Sequence, residues 1–181
     1  MIYIVRHGQT NWNLEGRNQG RIDIELNEKG IQQAELTSEK LENIKFDKVF
    51  SSPLKRAYKT AQVICEKIGI DENEIIVDER IIERCNGELE GLLREEYEGK
   101  VDFSDPNDTR YGVESLTGFR IRIDEFFKEI CNKYKDRNVL VVTHAGVSIY
   151  AKCFFEGEPD DGDYNKYKLK NCEVLEYKND K

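Results

Sequence analysis

Arg6, His7 and Gly8 follow directly on an apolar run at the start of the chain. An imidazole can act as nucleophile, base or acid near neutral pH. The guanidinium beside it is a planar fork of donors suited to phosphate oxygens. Gly8 has no Cβ, so the backbone there can turn sharply and let a ligand approach closely. A lone histidine after a strand is usually structural, but the neighbouring Arg and Gly favour chemistry. Two other segments stand in the same relation to apolar runs: Ser51-Ser52-Pro53-Leu54-Lys55-Arg56 and Thr143-His144-Ala145-Gly146. They bring the second of the chain's two histidines and a further arginine.

These segments need a scaffold that gathers them, and the hydrophobic pattern predicts one. Residues 1–5 read as a strand buried on both faces. Asn27-Glu28 open a helix to about Leu41, with Ala34, Leu36 and Leu41 among its apolar positions. A second strand covers residues 48–50. Ser52 is the expected cap of the next helix and Pro53 suits its first turn. Leu54, Ala57, Ala61, Ile64 and Ile68 recur there at helical spacing, and Gly69 ends it. Residues 74–77 read as a third short strand. The stretch 92–112 is irregular, with one helical turn near Glu95. From Val113 onward Leu116, Phe119, Ile123, Phe126, Phe127, Ile130 and Tyr134 form an apolar stripe, so a long helix is expected with its phenylalanines in the core. Residues 139–142 are the most apolar strand, a short helix follows Gly146, and residues 168–177 read as a last strand. This alternation predicts an α/β fold, a three-layer α/β/α sandwich with a mostly parallel sheet, as one domain over residues 1–181. Ligands of such sheets bind beyond the carboxyl ends of the strands, where both histidines fall.

Composition narrows the partners. The 181-residue chain has a formal net charge of −8, which argues against a nucleic-acid binder. It leaves room for a small cationic pocket and an anionic substrate. No run approaches a transmembrane helix and no signal peptide is evident, so neither membrane nor export is expected. The five cysteines are scattered without CxxC spacing, which speaks against a zinc site or a disulfide framework and for a reducing cytoplasm. The acidic run at 156–163 lacks EF-hand spacing and reads as a solvated loop. Trp12 reads as packing.

The motifs together resemble the histidine phosphatase superfamily, in the branch that contains cofactor-dependent phosphoglycerate mutase. Arg6-His7-Gly8-Gln9-Thr10-Asn11-Trp12-Asn13 is similar to its signature. Further blocks follow in family order: Leu26-Asn27-Glu28-Lys29-Gly30 with Gln33-Ala34, Ser51 to Ala57 with Thr60-Ala61, Glu83-Arg84 with Gly87 and Glu90-Gly91, and Val142 to Gly146. The resemblance implies a phosphohistidine formed on His7, with Arg6, Arg56 and His144 holding the phosphoryl oxygens. It implies Glu83 as the acid that protonates the leaving oxygen and then the base that activates water. Asn13 and the Gln19-Gly20 turn would contact the phosphate or its carrier, and Arg84 the substrate. A backbone carbonyl would accept from Nδ1–H of His7, leaving Nε2 to attack.

Physical chemistry is consistent with that scheme. Phosphoryl transfer asks for alignment and charge stabilisation, which two arginines and a second imidazole can supply with neither metal nor cofactor. Nearby cations should keep His7 neutral, and a carboxyl group beside bound phosphate should have a raised pKa. Taken alone, Arg56 could be an exposed helix residue, and His144 could satisfy a buried backbone group. The resemblance implies a phosphatase acting on a small phosphorylated metabolite, because the long insertion of the mutases is missing and Ala145-Gly146-Val147 follows the phosphatase pattern. A mutase is the alternative, and a non-catalytic module binding phosphorylated ligands is a second. Short bacterial relatives include α-ribazole, phosphoserine and sugar-phosphate phosphatases and broad acid phosphatases. Asn86, Leu89, Ile149 and Tyr150 depart from the family pattern and are expected near the pocket mouth. The oligomeric state stays open.

Overall fold

The computed structural model describes residues 1–179; Asp180 and Lys181, the last two of the expected domain, lie outside the described residues. The strands are β1 (Ile2–Arg6), β2 (Lys48–Ser51), β3 (Ile75–Val77), β4 (Val139–Thr143) and β5 (Val174–Tyr177). Their order in the sheet is β3-β2-β4-β1-β5, with β5 alone antiparallel. The two most apolar strands, β1 and β4, are therefore neighbours near the centre, in a parallel register that pairs Arg6 with Thr143. His7 and His144 are the next residues of each, and His7 N still donates to Thr143 O at 2.9 Å.

The helices are α1 (Asn11–Glu15), α2 (Glu28–Leu41), α3 (Lys55–Ile68), α4 (Arg94–Tyr97), α5 (Leu116–Lys133) and α6 (Ala145–Glu156). Successive side chains of a strand point to opposite faces, and the core divides accordingly. Ile2 and Ile4 join Val139 and Val141 in one cluster with Phe119, Phe126 and Phe127 of α5 and Val147 and Ala151 of α6. Tyr3, Val5, Leu140 and Val142 meet Ala57, Ala61 and Ile64 of α3 on the other face. Each of those buried phenylalanines contributes about 1.5–3 kcal/mol of hydrophobic stabilisation. The three-layer α/β/α sandwich is thus the observed architecture.

Several local expectations need correction. Ser52 does not cap α3. Its backbone N–H still bonds Val142 O at 3.0 Å, so it continues the sheet, and the extended Leu54 is the N-cap instead. Residues 168–173 are not strand: Glu173 N bonds Lys170 O in a turn, and Cys172 adopts φ 57°, which lets its N–H reach Arg6 O at 2.9 Å. Leu36 is exposed, because α2 buries the opposite stripe through Gly30, Ala34, Thr37, Ser38 and Leu41. The long helix starts at Leu116 with Ser115 as its cap. The helix after the second histidine runs twelve residues.

Candidate active site

Beyond the carboxyl ends of β1 and β4 the rim opens into a cavity of about 1240 Å³. Arg6, His7, Asn13, Gln19, Gly20, Arg56, Glu83 and Arg84 all line it. His144 is fully buried beside His7, with ring centroids 5.2 Å apart and planes inclined by 59°.

His7 is almost wholly buried, and its Nδ1 is 2.7 Å from Gly8 O. The carbonyl accepts, so Nδ1 carries the hydrogen, and Nε2 has no partner among the described residues. Burial, then Arg56, then Arg6 hold the His7 pKa well below the ordinary imidazole value. His144 is shifted the same way, first by burial and then by Arg56. Both rings are thereby held toward the neutral form, as expected for His7. Gly8 is also needed for packing: a Cβ there would meet Gly30 O of α2 at 2.3 Å. Gly8 N is held by Thr60 Oγ1 at 3.0 Å, and Thr60 in turn donates to Arg56 O.

The arginines are fixed by carbonyls. Arg6 Nη1 donates to Leu169 O at 2.7 Å. Arg56, 1% exposed, spends Nη1 on Ile22 O and Nη2 on Gly20 O. It is no solvent-facing helix residue. Burial pushes its pKa down to about 10. Nε of Arg6, Nε of Arg56 and Nδ1 of His144 are buried donors or acceptors without a protein partner. Such groups are destabilising unless something binds them, and here they come from the segments that surround His7.

Glu83 is seated on backbone amides. Oε1 accepts from Arg84 N at 2.9 Å and Oε2 from Gly146 N, in the first turn of α6, at 3.0 Å. Asn13 closes a capping box with Thr10 at the start of α1, and Gln19 Oε1 accepts from Thr10 Oγ1. Arg84 is mostly a wall tie, donating to Glu114 O and Phe103 O, both at 2.8 Å; only its Nη2 is left over. Seven arginine and lysine side chains and three acids line the cavity, the inverse of the chain's overall balance. Among the described residues no group of three or more His, Cys, Asp or Glu comes together as metal ligands would.

Sequence reasoning missed several supports. Ser52 Oγ holds His144 Nε2 at 2.7 Å. Asn171 Nδ2 donates to His7 O at 2.9 Å and to Asn13 Oδ1 at 3.3 Å. Glu114 takes Arg122 and Arg21, and Arg122 also donates to Arg80 O, Ile82 O and Glu83 O, bracing the loop that carries Glu83. Lys168 lines the cavity one residue before the carbonyl that holds Arg6; a reading as strand hid it. Of these only Ser52 carried a signal, through its place after an apolar run and within a resemblance block. Of the positions expected at the mouth, Asn86, Ile149 and Tyr150 line the cavity. Leu89 is instead buried with Val101 and Val113, where its apolar side chain gains more than it would in water. Residues 94–106 contribute to the cavity wall through Arg94, Tyr97 and Phe103 among others. The acidic loop is more than solvated: Glu158 pairs with Arg120, and Gly162 and Asp163 reach the cavity edge.

Known proteins resemble this chain in sequence and fold. The family model for the histidine phosphatase superfamily (branch 1) matches residues 2–181. Phosphoglycerate mutase-like protein 4 of Arabidopsis thaliana is 39% identical over 162 residues, 83% of this chain and 70% of that protein. Phosphoserine phosphatase 1 of Hydrogenobacter thermophilus is 37% identical over 150 residues, 79% of this chain and 70% of that one. Among solved structures, a mycobacterial glucosyl-3-phosphoglycerate phosphatase complexed with VO3 superposes with a TM-score of 0.82 at 26% identity, over 96% of this chain and 88% of that one. With the motif blocks converging on one rim and the family model spanning nearly every residue, the chain belongs to branch 1 of the histidine phosphatase superfamily.

Proposed function

We propose that the chain hydrolyses small phosphate monoesters through a phosphohistidine on His7. The observation that carries this reading is the state of that ring: neutral, with Nδ1–H committed to Gly8 O and Nε2 left for the cavity. In the proposed cycle Nε2 attacks phosphorus as the ester P–O bond breaks. Glu83 gives its proton to the leaving oxygen. The resulting carboxylate then takes a proton from water, whose oxygen attacks phosphorus and breaks the P–N bond. Inorganic phosphate leaves, and His7 is neutral again.

Arg6 and Arg56 would offer their remaining N–H groups to the phosphoryl oxygens, with the first turn of α6 and Asn13 alongside. His144 has a defined part. Ser52 Oγ accepts from Leu54 N, so its single proton is available to Nε2. With that proton given to Nε2, the ring hydrogen of His144 stands on Nδ1, its unpartnered atom, and in the proposed cycle it is donated to phosphate. These donors are fixed before substrate arrives, so little reorganisation is needed at the reacting centre. The charges supplied by the protein let the cycle run without a metal. The five cysteines are free, which favours the cytoplasm as its location. Substrate range is proposed as broad, with α-ribazole 5′-phosphate as one member of the test panel.

The test is to incubate the protein, with EDTA present, with a panel of phosphate esters, and separately with 3-phosphoglycerate plus 2,3-bisphosphoglycerate. Phosphate release from the panel, with acid-labile phosphate trapped on the wild type and absent from His7→Ala, is the expected result. Rapid isomerisation of phosphoglycerate with negligible phosphate release would make the protein a mutase.

A further inference from the structure

Lys168 is an exposed lysine in a position unlike any other. It stands on a short strap that is tied to the reactive centre at two points: Leu169 O accepts from Arg6, and Asn171 donates to His7 O. The strap has little freedom, so the side chain is delivered to the cavity wall beside Arg6. No hydrogen bond or ion pair to its ammonium occurs among the described residues, although acids are abundant in the chain. Its pKa is lowered, first by desolvation and then by Arg6, with Glu83 acting in the opposite sense. A cation held next to another cation, partly stripped of water and without a counter-ion, is what a binding site for an anion looks like before the anion arrives.

Arg6 is already engaged with the phosphoryl position on the reading above, and this inference rests on that reading. We propose that Lys168 is a specificity-determining residue that binds a second anionic group of the substrate, a carboxylate or a second phosphate, placed close to the scissile ester. The preferred substrates are then small phosphate esters that carry two anionic groups.

Two matched pairs test this. 3-Phosphoglycerate and glycerol 3-phosphate differ by a carboxylate against a hydroxymethyl group; fructose 1,6-bisphosphate and fructose 6-phosphate differ by a second phosphate. The quantity read is the ratio of kcat/KM within each pair, for wild type, Lys168→Gln, Lys168→Arg and Lys168→Glu. The wild type is expected to favour the doubly anionic member of at least one pair, and that pair identifies the anion. Lys168→Gln should lower the ratio about 10- to 100-fold, mainly through KM, Lys168→Glu should lower it further, and Lys168→Arg should restore most of it. Thermal midpoints of the variants should match the wild type, since the side chain holds nothing in place. A ratio within about threefold of wild type in Lys168→Gln overturns the inference. So does an equal fall of kcat for both members of each pair, which would put Lys168 at the phosphoryl group itself. Failure of the wild type on all four esters while it hydrolyses others of the panel overturns this inference alone; failure on the whole panel overturns the phosphatase reading, and this inference with it.

Discussion

The Glu83 carboxylate rests on the amide of Gly146, 3.0 Å from Oε2 to N, two residues beyond His144. One helix start therefore sets the place of both Glu83, the proposed acid, and the second imidazole. The fit is tight, since a Cβ at position 146 would lie 2.4 Å from Glu83 Oε1 and 3.2 Å from the ring of Phe119.

Gly146→Ala should accordingly displace Glu83 while leaving α6 intact. A shift of about 1 Å in a reacting group lowers rate by about 100-fold. The fall is expected in kcat, and to be smallest for esters with acidic leaving groups such as p-nitrophenyl phosphate, which need little protonation. An equal loss on all substrates would count against the acid role of Glu83.

Ser52→Ala removes the partner of His144 Nε2 and leaves a buried ring nitrogen unsatisfied, which should lower stability by about 1–3 kcal/mol. It also frees the tautomer, so kcat should fall by about tenfold or more. Urea unfolding and steady-state kinetics read the two effects separately. Unchanged kcat would detach His144 from the reaction.

Both imidazoles are neutral in the folded protein, with pKa values held well below 6.5 chiefly by burial. In the unfolded chain they titrate near about 6.5. Below that pH the unfolded state binds protons that the native state refuses, so stability falls as pH drops from about 6.5 toward the native values, and is flat in this respect above it. Each histidine contributes a slope of up to about 1.4 kcal/mol per pH unit in that window. With only two histidines in the chain, proton NMR offers a direct check. Their Hε1 resonances should stay fixed between pH 8 and 6, and a titration with a midpoint near 6.5 would contradict the burial argument.

Arg122→Leu should be severe. It strips Glu114 of its main cation at a largely buried position and releases the carbonyls of Arg80, Ile82 and Glu83. Breaking a buried pair of this kind lowers stability by about 3–5 kcal/mol. Reduced kcat in whatever protein remains folded would show that the brace also positions Glu83.

The sequence made the contiguous parts of the site legible. Arg6 and His7 are adjacent, apolar runs announce β1 and β4, and the alternation of strands and helices predicts the sheet that brings His144 beside them. Arg56 stood out only by its place after an apolar run, and Glu83 emerged only through resemblance, since one carboxylate among many carries no local signal. The supports were hidden for a physical reason. Ser52 acts on a residue 92 positions away and Asn171 on one 164 away, and such pairings depend on tertiary packing that no local period encodes. Ser52 was misplaced because Ser-Pro before a helix suits a cap equally well, and only its ladder bond to Val142 decides between the two roles.

The Arg6–Thr143 register has a consequence for how this scaffold can change. The spacing of the imidazoles is a property of the main-chain ladder between central strands, whereas the wall segment at 94–106 and the Lys168 strap hang from the rim. New sequence grafted onto either attachment would reshape the cavity and leave the two imidazoles in place. Sliding one central strand by a single residue would turn a histidine toward the opposite face and dismantle the pair outright.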